Sequence, residues 1–354
     1  MASNNHIVFL IPGFAKNEAD TVCIPALQVF ITSYRNKYPE DRISIIAFEY
    51  PYFFGKYSWN GVSVYSCGGC GNKFKRPLTL WRAKSFFKAI NTENPVNLIH
   101  SFWLGECAAI GKYLADKNGI AHLVTLMGQD VLENNKYIKK SHLLDETIIG
   151  LSDNHARVFK QNSGRAVNHI IPWGVEIDAQ ENDTNNSRPI DVIGVGNLTA
   201  LKNFSLFIEC IYELKKSVPN IKAVITGGGP EMERLSQQID SMGLNDNVEL
   251  KGQVSRDEVL RLLRHSKLLL HTSSFESFGL VFSEALAAGA SIVSFNVGCA
   301  SASSRWIIGA NKADLITGLK AKIVDQNIDF EAIVAHSIDR TCQSYHNLYR
   351  QIKP

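Results

Sequence analysis

The chain alternates short apolar runs with longer amphipathic stretches. In its first half, apolar runs at 6–11, 43–48, 62–66, 96–101, 121–126 and 147–151 read as strands. Between them, segments such as 24–35, 80–90 and 105–116 have helical spacing. A polar, apolar-poor stretch at 179–189 reads as a linker. The alternation then restarts, with strands expected at 191–195, 221–226, 248–250, 267–272 and 291–295. The segment 204–214 sets Phe204, Phe207, Ile208, Ile211 and Leu214 on one helical face. Ser255-Arg256-Asp257-Glu258 is a capping box opening a helix that runs to Arg264. Two successive β-α-β arrays imply an α/β protein with two Rossmann-like domains. The segment 329–352 reads as a closing helix.

The length of 354 residues fits two domains, and 45% hydrophobic with 20% charged residues fits a globular chain. A net charge of +3 is mild and argues against a nucleic-acid binder. No apolar run approaches the roughly 18–20 residues of a membrane span. The run at 7–11, followed by Pro12-Gly13, lacks a basic flank and cleavage site, so it reads as a first strand rather than a signal peptide. Seven scattered cysteines favour a reducing cytoplasm over a disulfide framework. Cys67-Gly68-Gly69-Cys70 is open to three readings: a redox pair, half a zinc site, or a glycine loop. No second pair completes a metal shell, which favours the loop, and no metal is expected.

The chemistry concentrates between residues 274 and 289. Here a strand hands over to a short helix, at the sheet edge where α/β proteins bind ligands. Gly279, Leu280 and Val281 would turn the first helical N–H groups toward a ligand. Such groups, together with the helix dipole, attract phosphate. Glu276 precedes the helix and Glu284 lies within it, so both carboxylates can accept hydrogen bonds from sugar hydroxyls. The pair suits a nucleotide whose phosphates face the helix. Upstream, Gly196-Asn197 ends a strand and Lys202 follows on the next turn. One Lys–phosphate pair at about 4 Å contributes about 4 kcal/mol at an effective dielectric near 20.

The stretch Ser274-Phe275-Glu276-Ser277-Phe278-Gly279, continued through Ser283-Glu284-Ala285 to Gly289, resembles the signature of the retaining glycosyltransferases of family 4, also described as glycosyl transferases group 1. That family has the GT-B fold, and its two glutamates stand eight positions apart, as here. The resemblance implies two Rossmann-like domains facing a central cleft, with a C-terminal helix crossing back to the first. The expected bounds are 1–178 for the acceptor-side domain, 179–189 for the linker, 190–328 for the nucleotide-sugar domain and 329–354 for the returning helix.

The implied activity is metal-independent, retaining transfer of a sugar from a UDP- or GDP-linked donor to a glycan or lipid-linked acceptor, as in polysaccharide biosynthesis. No further cofactor is implied. Lys202 and Asn197 would hold the diphosphate, Glu276 the donor sugar and Glu284 the ribose. Gly13, at the end of the first strand, matches the family's glycine-containing loop near the donor diphosphate and acceptor and is expected to bind the donor. Gly227-Gly228-Gly229-Pro230 matches a strand-to-helix turn, and 251–254 matches a base-contacting segment.

Three positions depart from the family pattern. Asn197 stands where an Arg is expected and brings no charge. Met127 replaces a His in Thr125-Leu126-Met127-Gly128-Gln129-Asp130, and Trp173 replaces an Asn. Asp130 is a candidate for acceptor or sugar hydroxyls and Trp103 for stacking on a sugar face. The basic and aromatic residues at 73–84 suit peripheral contact with an anionic membrane, which would place the protein in the cytoplasm, on the inner face. The departures motivate an alternative reading, a noncatalytic sugar-nucleotide-binding partner.

Overall fold

The computed structural model describes residues 5–176, 187–325 and 329–352. The chain forms two compact units, Met1–Trp173 with Ile338–Pro354, and Gly174–Ser337. The expected linker at 179–189 falls largely outside the described residues.

The first unit holds eight strands: β1 (His6–Gly13), β2 (Arg42–Tyr50), β3 (Gly55–Trp59), β4 (Val62–Ser66), β5 (Leu98–Phe102), β6 (Ala121–Thr125), β7 (Thr147–Gly150) and β8 (His169–Ile170). Their order across the sheet is β3-β4-β2-β1-β5-β6-β7-β8. The neighbours pair in parallel, except that β3 and β4 form an antiparallel hairpin at the edge. That hairpin turns through Asn60-Gly61, both at positive φ (44° and 76°). Two such residues are what a tight hairpin turn requires. The residues Ile7 to Ile11 of β1 are fully buried, as in a parallel strand covered on both faces.

The closing helix spans Ile338–Gln351 rather than starting at 329. Residues 329–337 lie outside the helix and belong to the second unit. Ile333 N–H donates to Leu286 O, and His336 O accepts from Val175 N–H. The helix itself packs on Pro25–Lys37 through an aromatic cluster. Phe30 lies 5.0 Å from Tyr345, and Tyr34 lies 5.7 Å from Tyr349, ring to ring. The Tyr345 hydroxyl bonds Thr125 Oγ1 at 3.0 Å, and the Tyr349 hydroxyl bonds His100 Nδ1 at 2.8 Å. These bonds satisfy polar atoms that burial would otherwise leave at a cost. Trp173 is buried in the same cluster, 5.5 Å from Phe30.

The second unit has β9 (Ile190–Val195), β10 (Ala223–Thr226), β11 (Val248–Gly252), β12 (Ser266–His271), β13 (Ser291–Phe295) and β14 (Trp306–Gly309). The order is β11-β10-β9-β12-β13-β14, all parallel. Phe204, Phe207, Ile208, Ile211 and Leu214 all face the core from the helix Phe204–Lys215. Ser255 Oγ accepts the N–H of Glu258 at 3.3 Å and opens the helix Arg256–Arg264. Among the described residues no helix is long and apolar enough to cross a membrane.

Candidate functional site

In the second sheet the strand order reverses between β9 and β12, and the loops leaving these two strands meet there. Thr272 Oγ1 donates to Lys202 O at 3.0 Å, and Ser274 N–H donates to Leu201 O at 3.1 Å. Binding sites of open α/β sheets lie at this kind of reversal. The loop after β9 also rests on the glycine turn after β10. Leu198 N–H donates to Gly228 O at 2.9 Å, and Gly196 N–H to Thr226 O at 3.0 Å. A Cβ on Gly227, at φ 143°, would lie 1.9 Å from Gly196 O, so only glycine permits this approach. Gly227 N–H donates in turn to Gly252 O, and the Gln253 side chain lies against Gly228. The segment 251–254 therefore adjoins the same turn.

Lys202 and Glu276 form an ion pair between Nζ and Oε1. His271, the last residue of β12, lies with Nε2 2.8 Å from the same carboxylate oxygen. Burial alone would raise the Glu276 pKa. The His271 hydrogen bond and the Lys202 charge outweigh it and hold the carboxyl at about 2. Burial lowers the His271 pKa against the pull of Glu276. The imidazole is therefore neutral, and Nε2 carries the proton it donates. Behind Glu276, Gly298 fits with a left-handed backbone, since a Cβ there would meet Phe278 O at 2.3 Å. The result is a carboxylate fixed from two sides and beside a lysine.

Glu284 lies mid-way in the helix Leu280–Ala287 and is buried. Its Oε1 meets Arg256 Nη2 at 3.2 Å. Burial raises its pKa, and Arg256 opposes that. Arg256 Nε is buried without a hydrogen-bond partner among the described residues. Gly279 caps this helix at φ 77°, with Leu280 and Val281 half-buried at its first positions. Asn197 is exposed. His271 and Arg256 were not singled out in the sequence, although one ends a strand at the motif and the other sits in the capping box.

The first unit holds a cavity of about 760 Å³ at the carboxyl edge of its sheet, where β1 separates β2 from β5. Pro12, Glu49, Trp103, Arg76 and Asp130 reach its wall. Gly13 beside it closes β1 against Tyr50, 3.2 Å from where its Cβ would stand. Trp103 adopts a left-handed backbone, φ 71°. The Asp130 carboxylate accepts N–H groups of Leu104 at 2.8 Å, Gly128 at 2.7 Å and Met127 at 3.2 Å. It organises the loops at the cavity wall. Arg76 pairs with Glu106 and donates to the Tyr137 hydroxyl at 2.7 Å. In the C-x-x-C stretch, a Cβ on Gly68 or Gly69 would stand 2.8 Å from the Phe53 carbonyl carbon or 2.4 Å from Glu49 Oε2. Burial pushes the Cys67 thiol up to about 12. A tight loop needing glycine fits these facts, and a reactive thiolate does not.

Residues 176–308 match the family model of the glycosyl transferases group 1. The chain is 31% identical over 107 residues to a 2-deoxystreptamine N-acetyl-D-glucosaminyltransferase of Niallia circulans, covering 30% of this chain and 28% of that one. The chain spans only about a quarter of the length of the first curated relatives it matches. Across nearly the whole chain the fold is similar to that of sucrose-phosphate synthase from Thermosynechococcus elongatus. That likeness has a TM-score of 0.77 at 15% identity and covers 98% of this chain and 99% of the other. A protein of Anabaena in complex with UDP and glucose gives a TM-score of 0.66 at 17% identity, covering 98% and 95%. The fold is therefore a two-domain, GT-B-like α/β fold. Over residues 176–308 the chain is thus similar to glycosyltransferases, and the structural likenesses show the fold alone.

Proposed function

We propose that the protein is a retaining glycosyltransferase that moves a sugar from a nucleoside-diphosphate sugar to a glycan or lipid-linked hydroxyl. The observation that carries this reading is the Lys202–Glu276–His271 constellation at the strand-order reversal, within the region matching the family. The donor's diphosphate sits against Lys202, Asn197 and the N–H groups at Gly279, Leu280 and Val281. These groups stabilise the negative charge that develops as the anomeric carbon–oxygen bond breaks. This cradle supplies the counter-charge that a metal supplies elsewhere. Glu276, kept ionised and oriented by His271, accepts hydrogen bonds from donor-sugar hydroxyls. Glu284 accepts from the ribose. The acceptor oxygen bonds the anomeric carbon on the face that the diphosphate leaves, and its proton passes to the departing phosphate oxygen. In the first unit, Trp103 offers an acceptor or sugar a stacking face.

The test is a panel of UDP- and GDP-sugars, followed by thermal shift and by slow donor hydrolysis, on wild type and Glu276→Ala. Stabilisation by one donor follows from mass action. Release of its nucleoside diphosphate by wild type, lost in the variant, supports the reading. Donor binding with equal background hydrolysis in both proteins favours a noncatalytic sugar-nucleotide binder. An inverted product linkage contradicts the retaining mechanism.

A further inference from the structure

A second cavity, of about 410 Å³, opens in the first unit between the helices Arg76–Glu93 and Glu106–Asn118. Three lysines line it, Lys84, Lys88 and Lys117, together with Trp81 and Tyr113. Lys84 Nζ sits 4.0 Å and Lys117 Nζ 6.0 Å from the Tyr113 ring centroid. Among the described residues no carboxylate pairs with any of the three, while neighbouring Lys112 is neutralised by Asp116 and Glu146. Nearby Glu93 is engaged by Arg42. Three unneutralised ammonium groups around one concavity repel one another, and an anion there relieves the repulsion. The floor is apolar, formed by buried Phe87 and Leu114.

The flank of this cavity decides which anion fits. Trp81 stands on the same helix face as Lys84 and Lys88 and is 63% exposed. Leu78, one turn earlier, is 43% exposed, and Phe74, just before the helix, is 95% exposed. A free phosphate in water would make no use of these side chains. A bilayer would use both parts, the aromatic rings at the level of the headgroups and the lysines at their phosphates. From Lys73 to Lys88 the sequence carries Lys73, Lys75, Arg76, Arg82, Lys84 and Lys88 and no acidic residue.

We infer that the Lys84–Lys88–Lys117 cavity binds the phosphate of an anionic lipid headgroup while Phe74, Leu78 and Trp81 enter the bilayer surface beside it. The site belongs to the first unit and the donor constellation to the second, and the inference holds whether or not the protein transfers sugar.

Cosedimentation with vesicles tests it, using phosphatidylcholine alone and phosphatidylcholine mixed with phosphatidylglycerol. Wild type is expected to bind the mixed vesicles only, and to be released by salt. The triple variant Lys84→Gln, Lys88→Gln, Lys117→Gln should partition about 100-fold more weakly, each charge contributing roughly fivefold. Phe74→Ser with Trp81→Ser should also weaken binding. Thermal unfolding of each variant, matched to wild type, shows that the loss is local. Triple-variant binding equal to that of wild type overturns the proposal, as does equal binding to neutral vesicles. Binding of inorganic phosphate at these lysines without any vesicle binding overturns the assignment to a bilayer.

Discussion

His271 Nε2–H donates to Glu276 Oε1 across 2.8 Å, joining the end of β12 to the motif loop that follows it. This bond makes His271 a positioning residue for the carboxylate. Replacing it by Ala leaves the buried Glu276 with a donor missing, which costs about 1–3 kcal/mol of stability. His271→Ala should lower kcat more than it raises the donor KM, because the carboxylate remains but loses its orientation. Steady-state kinetics beside thermal unfolding would show this. A change in stability alone would reduce His271 to a structural role.

The depressed pKa of Glu276 has a sign that can be measured. With about 2 in the folded state against an ordinary 4.5, the unfolded chain binds more protons. The stabilisation is therefore fully present above about pH 4.5 and is lost as pH falls toward 2. It amounts to about 3 kcal/mol when complete. The stability difference between wild type and Glu276→Gln should thus shrink as pH is lowered below about 4.5. Urea unfolding at several acidic pH values measures it, and a constant difference would contradict the assignment.

Gly227→Ala should weaken both the fold and donor binding. The new methyl would stand 1.9 Å from Gly196 O, so the loop that presents Asn197 and Lys202 must move. The backbone also sits at φ 143°, which adds strain of about 1–3 kcal/mol. A lowered Tm together with a lost thermal shift by donor is the expected pair of results. Gly164→Ala, with φ 75° but nothing within 4 Å of the new Cβ, serves as the control for strain alone.

Much of this was legible in sequence, for identifiable reasons. Buried parallel strands read as unbroken apolar runs, so β1, β2 and β12 stood out. Glu276 and Lys202 were visible because the motif around them is long. His271 was absorbed into the apolar run of its strand, where only its place at the ligand edge marks it out. Arg256 was hidden inside a helix-capping signal. Of the hairpin, β4 was legible at 62–66, but β3 was missed although Asn60-Gly61 announces the turn, because Gly55-Lys56-Tyr57-Ser58-Trp59 is not an apolar run. The cavity in the first unit joins residues from Pro12 to Tyr137 and has no local signature. The closing helix was expected too early because the apolar residues of 329–337, Phe330, Ile333 and Val334 among them, do not reveal the segment's hydrogen bonds to Leu286 and Val175.

The closing helix is held by buried aromatics, so its loss should be felt by the whole first unit. Tyr345 is fully buried between Phe30 and Trp173. Tyr345→Ala should cost about 3–5 kcal/mol. Tyr349→Phe removes only the partner of His100 Nδ1 and should cost about 1–3 kcal/mol. Chemical denaturation of the two variants should rank them in that order.

The most direct test of the central claim is calorimetric titration of wild type and Lys202→Ala with UDP, GDP and their monophosphates. If the β9 and β12 loops form a diphosphate cradle, wild type binds one diphosphate more tightly than its monophosphate. That preference should fall by about 10- to 100-fold in the variant, the worth of one charged hydrogen bond. An unchanged preference for the diphosphate without Lys202 would contradict the account.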